Sequence, residues 1–169
     1  MKTLLVLRHA KSSWDDRTLD DHERPLNTRG QRDAPRLGEV IRELRLVPDV
    51  ILSSDALRAR QTAEAAAKAA HYLGKILLDR RLYGASPADI VRVLRTVDET
   101  KAATVMIVGH NPGLEELVAR LTRERQDLPT AALAQIALPV DRWRDLTLSR
   151  RGSLVGLWRP KELMGNRRR

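Results

Sequence analysis

The chain has 169 residues, enough for one domain with a single core, and its 42% hydrophobic content excludes a disordered chain. It has no Cys, which excludes disulfides, thiolate metal sites and cysteine nucleophiles and fits a cytoplasmic protein, and no apolar run nears the ~18 residues that span a bilayer. The net charge is +9, part of it in a basic tail over about residues 164–169, while most other Arg alternate with acids, as in Arg42-Glu43 and Arg123-Glu124-Arg125, the pattern of solvated helix faces.

In chain order, residues 4–7 (Leu-Leu-Val-Leu) read as a strand buried on both faces rather than as a signal peptide, because Arg8 and His9 stop the run. A polar loop over about residues 11–27 follows. Asn27 or Thr28 can cap a helix to about Leu46, with Leu37, Val40, Ile41 and Leu44 on one stripe. Pro48-Asp49 breaks it before a short strand, Val50-Ile51-Leu52. Ser53, Ser54 and Asp55 are N-cap candidates for an Ala-rich helix running to about His71. A third strand is Ile76-Leu77-Leu78. Ser86-Pro87 opens a helix with an N-cap and a Pro at its first position. Residues 105–108 form a strand ending at Gly109, and Pro112-Gly113 starts a helix to about Leu121. Ile136-Ala137-Leu138 and residues 154–158 are the last strands, joined by a loop over residues 141–152. This recurrence of strand, loop and helix predicts a single α/β domain over residues 1–169, a mostly parallel central sheet flanked by helices. Ligands of such sheets collect beyond the carboxyl ends of the strands.

Three strand ends carry chemistry. The first runs into Arg8-His9-Ala10, the second into a segment holding Arg58 and Arg60, and the fourth into Gly109-His110-Asn111-Pro112-Gly113. Guanidiniums bind phosphate oxygens, a neutral imidazole can attack phosphorus, and a helix N-terminus near Pro112 would favour an anion. The set predicts phosphoryl transfer without the glycine-rich loop and Lys of a nucleotide-binding P-loop. Arg8-His9 alone, His110 alone or the helical Arg58 alone would be weak; together, each at a strand end, they are specific. His22, in the polar loop, and His71, at a helix C-terminus, read as structural. No His pair has ligand spacing and no carboxylate cluster accompanies His9 or His110, so neither a metal nor another cofactor is expected.

These segments resemble the histidine phosphatase superfamily, with its phosphoglycerate mutase-like fold. Residues 4–10 resemble the opening Arg-His-Gly signature, with Ala10 in place of the common Gly, as in the small SixA-like phosphohistidine phosphatase branch. Arg24-Pro25-Leu26-Asn27-Thr28-Arg29-Gly30 resembles a segment of that branch, residues 53–63 resemble the superfamily's "SxxxRAxQTA" block, and residues 108–112 resemble its second histidine block. The resemblance implies that His9 is the nucleophile and becomes phosphorylated. It implies that Arg8, Arg58 and His110 form the phosphoryl pocket, two guanidiniums and one imidazolium, and that Asn111 contributes to substrate binding through its N–H or side chain. Arg60 is the variable partner in its block and is not carried over.

One departure bears on substrate. The stretch that would carry the superfamily's Glu acid reads Asp79-Arg80-Arg81-Leu82-Tyr83-Gly84, without Glu; Asp79, Asp15 and Asp16 are substitutes that match the pattern poorly. A missing acid harms poor leaving groups most. The short stretch between Thr62 and Gly109 leaves little sequence for a lid. Both features point to phosphohistidine on a protein. Trp14, in the loop beside the pocket, can stack on a substrate group or serve as an ordinary apolar cover. A phosphatase of small phosphate monoesters is the alternative enzyme, a non-catalytic phosphoprotein- or nucleic-acid-binding module the alternative of another class; no membrane partner is expected, and nucleic acid is disfavoured.

Overall fold

In a computed structural model, which describes residues 1–98 and 102–166, the chain opens with strand β1 (Lys2–Arg8). Helix α1 (Thr28–Glu43) starts where the Asn27 side chain accepts the Gly30 N–H at 2.9 Å. It stops short of Leu46 because Arg45 turns left-handed, with φ of 57°, and the Leu46 N–H bonds back to the Ile41 carbonyl. Strand β2 (Val50–Ser53) leads into α2 (Leu57–Ala69), then β3 (Ile76–Leu78). The N-cap of α2 is Ala56, with no side-chain cap; among the expected caps, Ser54 instead accepts the Ala56 N–H. Helix α3 (Pro87–Leu94) has a full capping box between Ser86 and Asp89. Strand β4 (Thr104–Gly109), helix α4 (Gly113–Thr122) and strands β5 (Leu133–Leu138) and β6 (Ser153–Trp158) follow. A last helix, α5 (Pro160–Asn166), was not apparent in the sequence, and residues 167–169 of the basic tail lie outside the described residues.

The six strands form one sheet in the order β3-β2-β4-β1-β5-β6. The first four are mutually parallel, whereas β5 runs antiparallel to β1 and β6 antiparallel to β5. Alternate residues of the central strands feed opposite faces. Leu4, Val6, Val105 and Ile107 pack against α3 and α4; Leu5, Leu7, Met106 and Val108 pack against α1 and α2. Trp143, fully buried, fills the first face, and its indole N–H donates to the Ala102 carbonyl at 2.8 Å. Among the described residues, no helix is long and apolar enough to cross a membrane.

Helices α1 and α2 touch through small residues. A methyl at Gly38 would run into the Ala66 carbonyl and the Ala69 side chain. Gly38→Ala should therefore cost about 1–3 kcal/mol, at roughly 2–4 °C of Tm per kcal/mol for a chain this size. Thermal unfolding checks this, and an unchanged Tm would show that the two helices are not in such close contact.

Candidate active site

Strands β1 and β4 are adjacent and parallel, with Arg8 opposite Gly109. Each strand therefore releases its histidine at the same height. The His9 N–H donates to the Gly109 carbonyl at 3.0 Å, and the His9 and His110 ring centroids lie 5.1 Å apart. Helix α2 pins the loops beside them. The Ala10 N–H donates to Thr62 Oγ1 at 2.9 Å, Thr62 Oγ1 donates to the Arg58 carbonyl at 2.7 Å, and Gln61 Oε1 accepts the Leu26 N–H at 2.9 Å. A methyl at Gly30 would strike the Lys11 carbonyl, so the first turn of α1 presses on the same exit loop.

The His9 tautomer is set by its own neighbour. Its Nδ1 lies 2.7 Å from the Ala10 carbonyl, which can only accept, so Nδ1 carries the proton and Nε2 keeps a free lone pair. Burial, reinforced by the guanidiniums of Arg58, Arg8 and Arg24, pushes His9 down to about 4. Burial, with His9 and Arg58, pushes His110 down to about 3. Both shifts favour neutral rings at pH 7 in the free site. His110 Nδ1 faces the Arg58 guanidinium at 3.5 Å, and its Nε2 shares a hydrogen bond with Ser54 Oγ at 2.8 Å.

Arg58 is buried and reaches the site from the first turn of α2. It donates to the Asp21 carbonyl at 2.6 Å and to Asp21 Oδ2 at 2.9 Å. Asp21 also accepts from Tyr83 Oη at 2.6 Å and from Arg24 Nη1 at 2.8 Å. The Tyr83 hydroxyl, with the two guanidiniums, holds this carboxyl well below the usual carboxylate range. Arg24 is itself buried, donates to the Ser13 carbonyl and Ser12 hydroxyl, and lies under the Trp14 ring, so Trp14 stacks on a residue of its own loop. Asp21, Arg24, Ser54 and Tyr83 escaped the sequence reading. Arg24 sat within a quoted motif, and Asp21 lay three residues before it, but the convergence of Arg58 and Tyr83 on Asp21 is a long-range fact.

Arg8 donates from Nη1 to the Leu128 carbonyl at 2.9 Å, and its buried Nε has no protein acceptor. Asn111 donates to the same carbonyl and to Glu115 Oε1, each at 2.9 Å, and its Oδ1 accepts the Glu115 N–H at 3.2 Å. Its side chain thus caps α4 and braces the loop at Leu128. The first turn of α4, which also carries Glu115 and Glu116, is not the open anion site that the sequence suggested. Arg60 is exposed beside Glu64. Asp79 is bound by Arg81, while Asp15 and Asp16 are exposed, Asp16 accepting from Thr18. His22 is nearer the chemistry than expected. It bonds Asp55 at 2.7 Å, and its ring meets Tyr83 edge-on at 5.0 Å; Tyr83 in turn meets His110 at 5.4 Å. His71 ends α2 and takes a hydrogen bond from Arg42 at 2.8 Å.

Burying neutral histidines links stability to pH. In the unfolded chain a histidine binds its proton near 6.5, so the unfolded state holds more protons from there down to about 4, where folded His9 titrates. Stability should be complete above about pH 6.5 and fall as pH drops toward about 4. Tm measured across that window should fall less steeply in His9→Gln, and identical slopes would break the link.

The model of the histidine phosphatase superfamily (branch 1) matches residues 4–86. An uncharacterized chloroplastic protein of Arabidopsis thaliana is 30% identical over 152 residues, covering 85% of this chain and 70% of the relative. The structure of a SixA protein of Agrobacterium tumefaciens, assigned as a phosphohistidine phosphatase, superposes with a TM-score of 0.79 at 27% identity, covering 94% of this chain and 98% of that one. A Nakamurella SixA protein of the same assignment gives a TM-score of 0.81 at 26% identity, covering 94% and 96%. The chain belongs to the histidine phosphatase superfamily, in its SixA-like branch.

Proposed function

We propose that the whole chain is one histidine phosphatase domain that works through a phosphorylated His9 and takes its phosphoryl group from phosphohistidine on a protein. The observation that carries this is the Nδ1 bond of His9 to the Ala10 carbonyl, which leaves Nε2 as a neutral nucleophile among guanidiniums. Nε2 attacks phosphorus, the bond from phosphorus to the donor nitrogen breaks, and the donor ring, protonated by solvent on its other nitrogen, leaves as neutral imidazole with the electron pair. Water then attacks phospho-His9, releases phosphate and restores the neutral ring. Arg8 and Arg58 stabilise the equatorial oxygens. An arriving dianion reverses the local field and so favours protonation of His110, which would supply the third positive charge at that stage.

Leaving-group chemistry supports the substrate class. Asp21 is held ionised by Tyr83, Arg58 and Arg24, and Asp79 is held ionised by Arg81. Neither offers a proton to an alkoxide, whereas imidazole departs from phosphorus more readily. Between α2 and β4 the described residues form β3, a single turn and α3, with no lid over the site. The SixA relatives named above, at 26–27% identity, favour the same substrate. The charge balance needs no metal ion in this reading; among the described residues, no group of three or more His, Asp or Glu converges on a metal-binding position.

His9→Ala should abolish turnover with the fold intact, and the parent protein given a phosphodonor should carry acid-labile, base-stable phosphate on His9. Residual turnover above a few per cent would remove His9 from the chemistry.

Rates across leaving groups test the substrate class. General acid catalysis supplies typically ~10²–10⁴-fold, so kcat/KM should fall steeply from phosphoimidazole and aryl phosphates to sugar phosphates, and EDTA should leave the series unchanged. A flat series with chemistry rate-limiting would reveal a competent acid and favour small phosphate esters. Loss of activity to chelator, restored by Mg²⁺ or Zn²⁺, would refute the metal-free charge balance.

A further inference from the structure

A groove runs along the outer side of α4 and meets the active site at both ends. At one end, a cavity of about 210 Å³ is lined by His110, Asn111 and Pro112. It shares Pro112 and Glu116 with a larger cavity of about 660 Å³. That cavity in turn shares Glu115, Asp127 and Arg159 with one of about 500 Å³ that reaches Arg8. A chain lying in this groove would pass beside both His110 and Arg8 without entering the protein core.

The charge of the two larger cavities is biased. Arg120 and Arg125 in one, and Lys161 in the other, are exposed and make no ion pair or hydrogen bond among the described residues. Two of the facing carboxylates are already engaged: Glu115 accepts from Asn111 and from the Leu128 N–H, and Glu162 accepts from Arg159. The groove therefore presents unspent positive charge to whatever lies in it. The interleaved Glu116 and Asp127 carboxylates would repel a continuous phosphate backbone, and among the described residues no aromatic side chain lines either cavity as a stacking surface for bases. An acidic polypeptide, whose charges are spaced and whose backbone can hydrogen-bond, fits these walls better than a nucleic acid.

We infer that this groove is the docking site for an acidic segment of the protein that carries the phosphohistidine. The inference rests on the function proposed above and adds to it the charge of the substrate and the surface that reads it. Docking there supplies binding away from the reacting atoms, while the phosphorylated imidazole reaches between Arg8 and His110.

The test uses the full chain and its Arg120→Glu/Arg125→Glu variant, whose changes are both on exposed positions. Labelled, unphosphorylated peptides of equal length carry a central His flanked by Asp and Glu or by Lys; a single-stranded RNA is the third probe. Fluorescence anisotropy should show the acidic peptide binding roughly tenfold tighter than the basic one, with a preference that weakens as salt rises. The variant should lose that preference, while its turnover of a small phosphoramidate matches the parent. Equal binding of the two peptides, a preference retained in the variant, or RNA binding tighter than the acidic peptide with loss in the variant would each overturn the inference. Failure to hydrolyse phosphohistidine with acidic-peptide binding intact would overturn the functional reading and not the groove.

Discussion

The parallel pairing of β1 with β4 decides everything else at the site. Because the two strands end in register, with Arg8 opposite Gly109, their next residues emerge side by side, and the His9 N–H is tied to the Gly109 carbonyl. A shift by one residue would turn Arg8 and His9 each to the other face of the sheet and separate the rings. The register is held by burial: Leu4 to Leu7 are fully buried, and each faces the helix layer that its alternation dictates. The core that stabilises the sheet is thus also the device that sets the 5.1 Å spacing of the rings.

Around that pair the dominant effect is electrostatic. Arg8, Arg24 and Arg58 converge on a poorly hydrated site, where their mutual repulsion would be expensive without an anion. Asp21 provides one. It binds Arg58 and Arg24 together and is itself fixed by Tyr83. The same positive field, added to burial, keeps both imidazoles unprotonated, which is the state a nucleophile needs. A substrate phosphoryl group therefore enters a site whose principal guanidinium already has a partner. The larger charge of a phosphoryl dianion, and its fit between Arg8 and Arg58, must outweigh that carboxylate.

Much of this was legible beforehand. Strand β3 fell on the residues read for it, and β1, β2, β4, α4 and the start of α3 were placed within about two residues, because each carries a strong local signal: a buried apolar run, an N-cap residue, or Gly and Pro at its edge. The errors share a cause. The ends of α1 and α2 overran because Arg45 and His71, with φ of 57° and 60°, adopt left-handed backbone that only side-chain and loop packing selects. β5 was read too short because Leu133, Ala134 and Gln135 have little strand character of their own; pairing with β1 makes them a strand.

The sequence by itself determined which residue types stand at the strand ends, since alternation and capping are local and a motif is a run of neighbours. It placed Arg8, His9, Arg58 and His110 at predicted strand ends of one sheet, and residues 79–84, which resemble the superfamily's acid-bearing stretch, contain no Glu. Only the tertiary structure decided what those groups do to one another. The neutrality of His110, shifted by burial and by His9 and Arg8 about a hundred residues away, the turning of Asn111 onto Leu128 and the convergence of Arg58 and Tyr83 on Asp21 all depend on distances between segments far apart in the chain. Coulomb energy and desolvation vary with separation in space, and separation along the chain does not encode it until the sheet has formed.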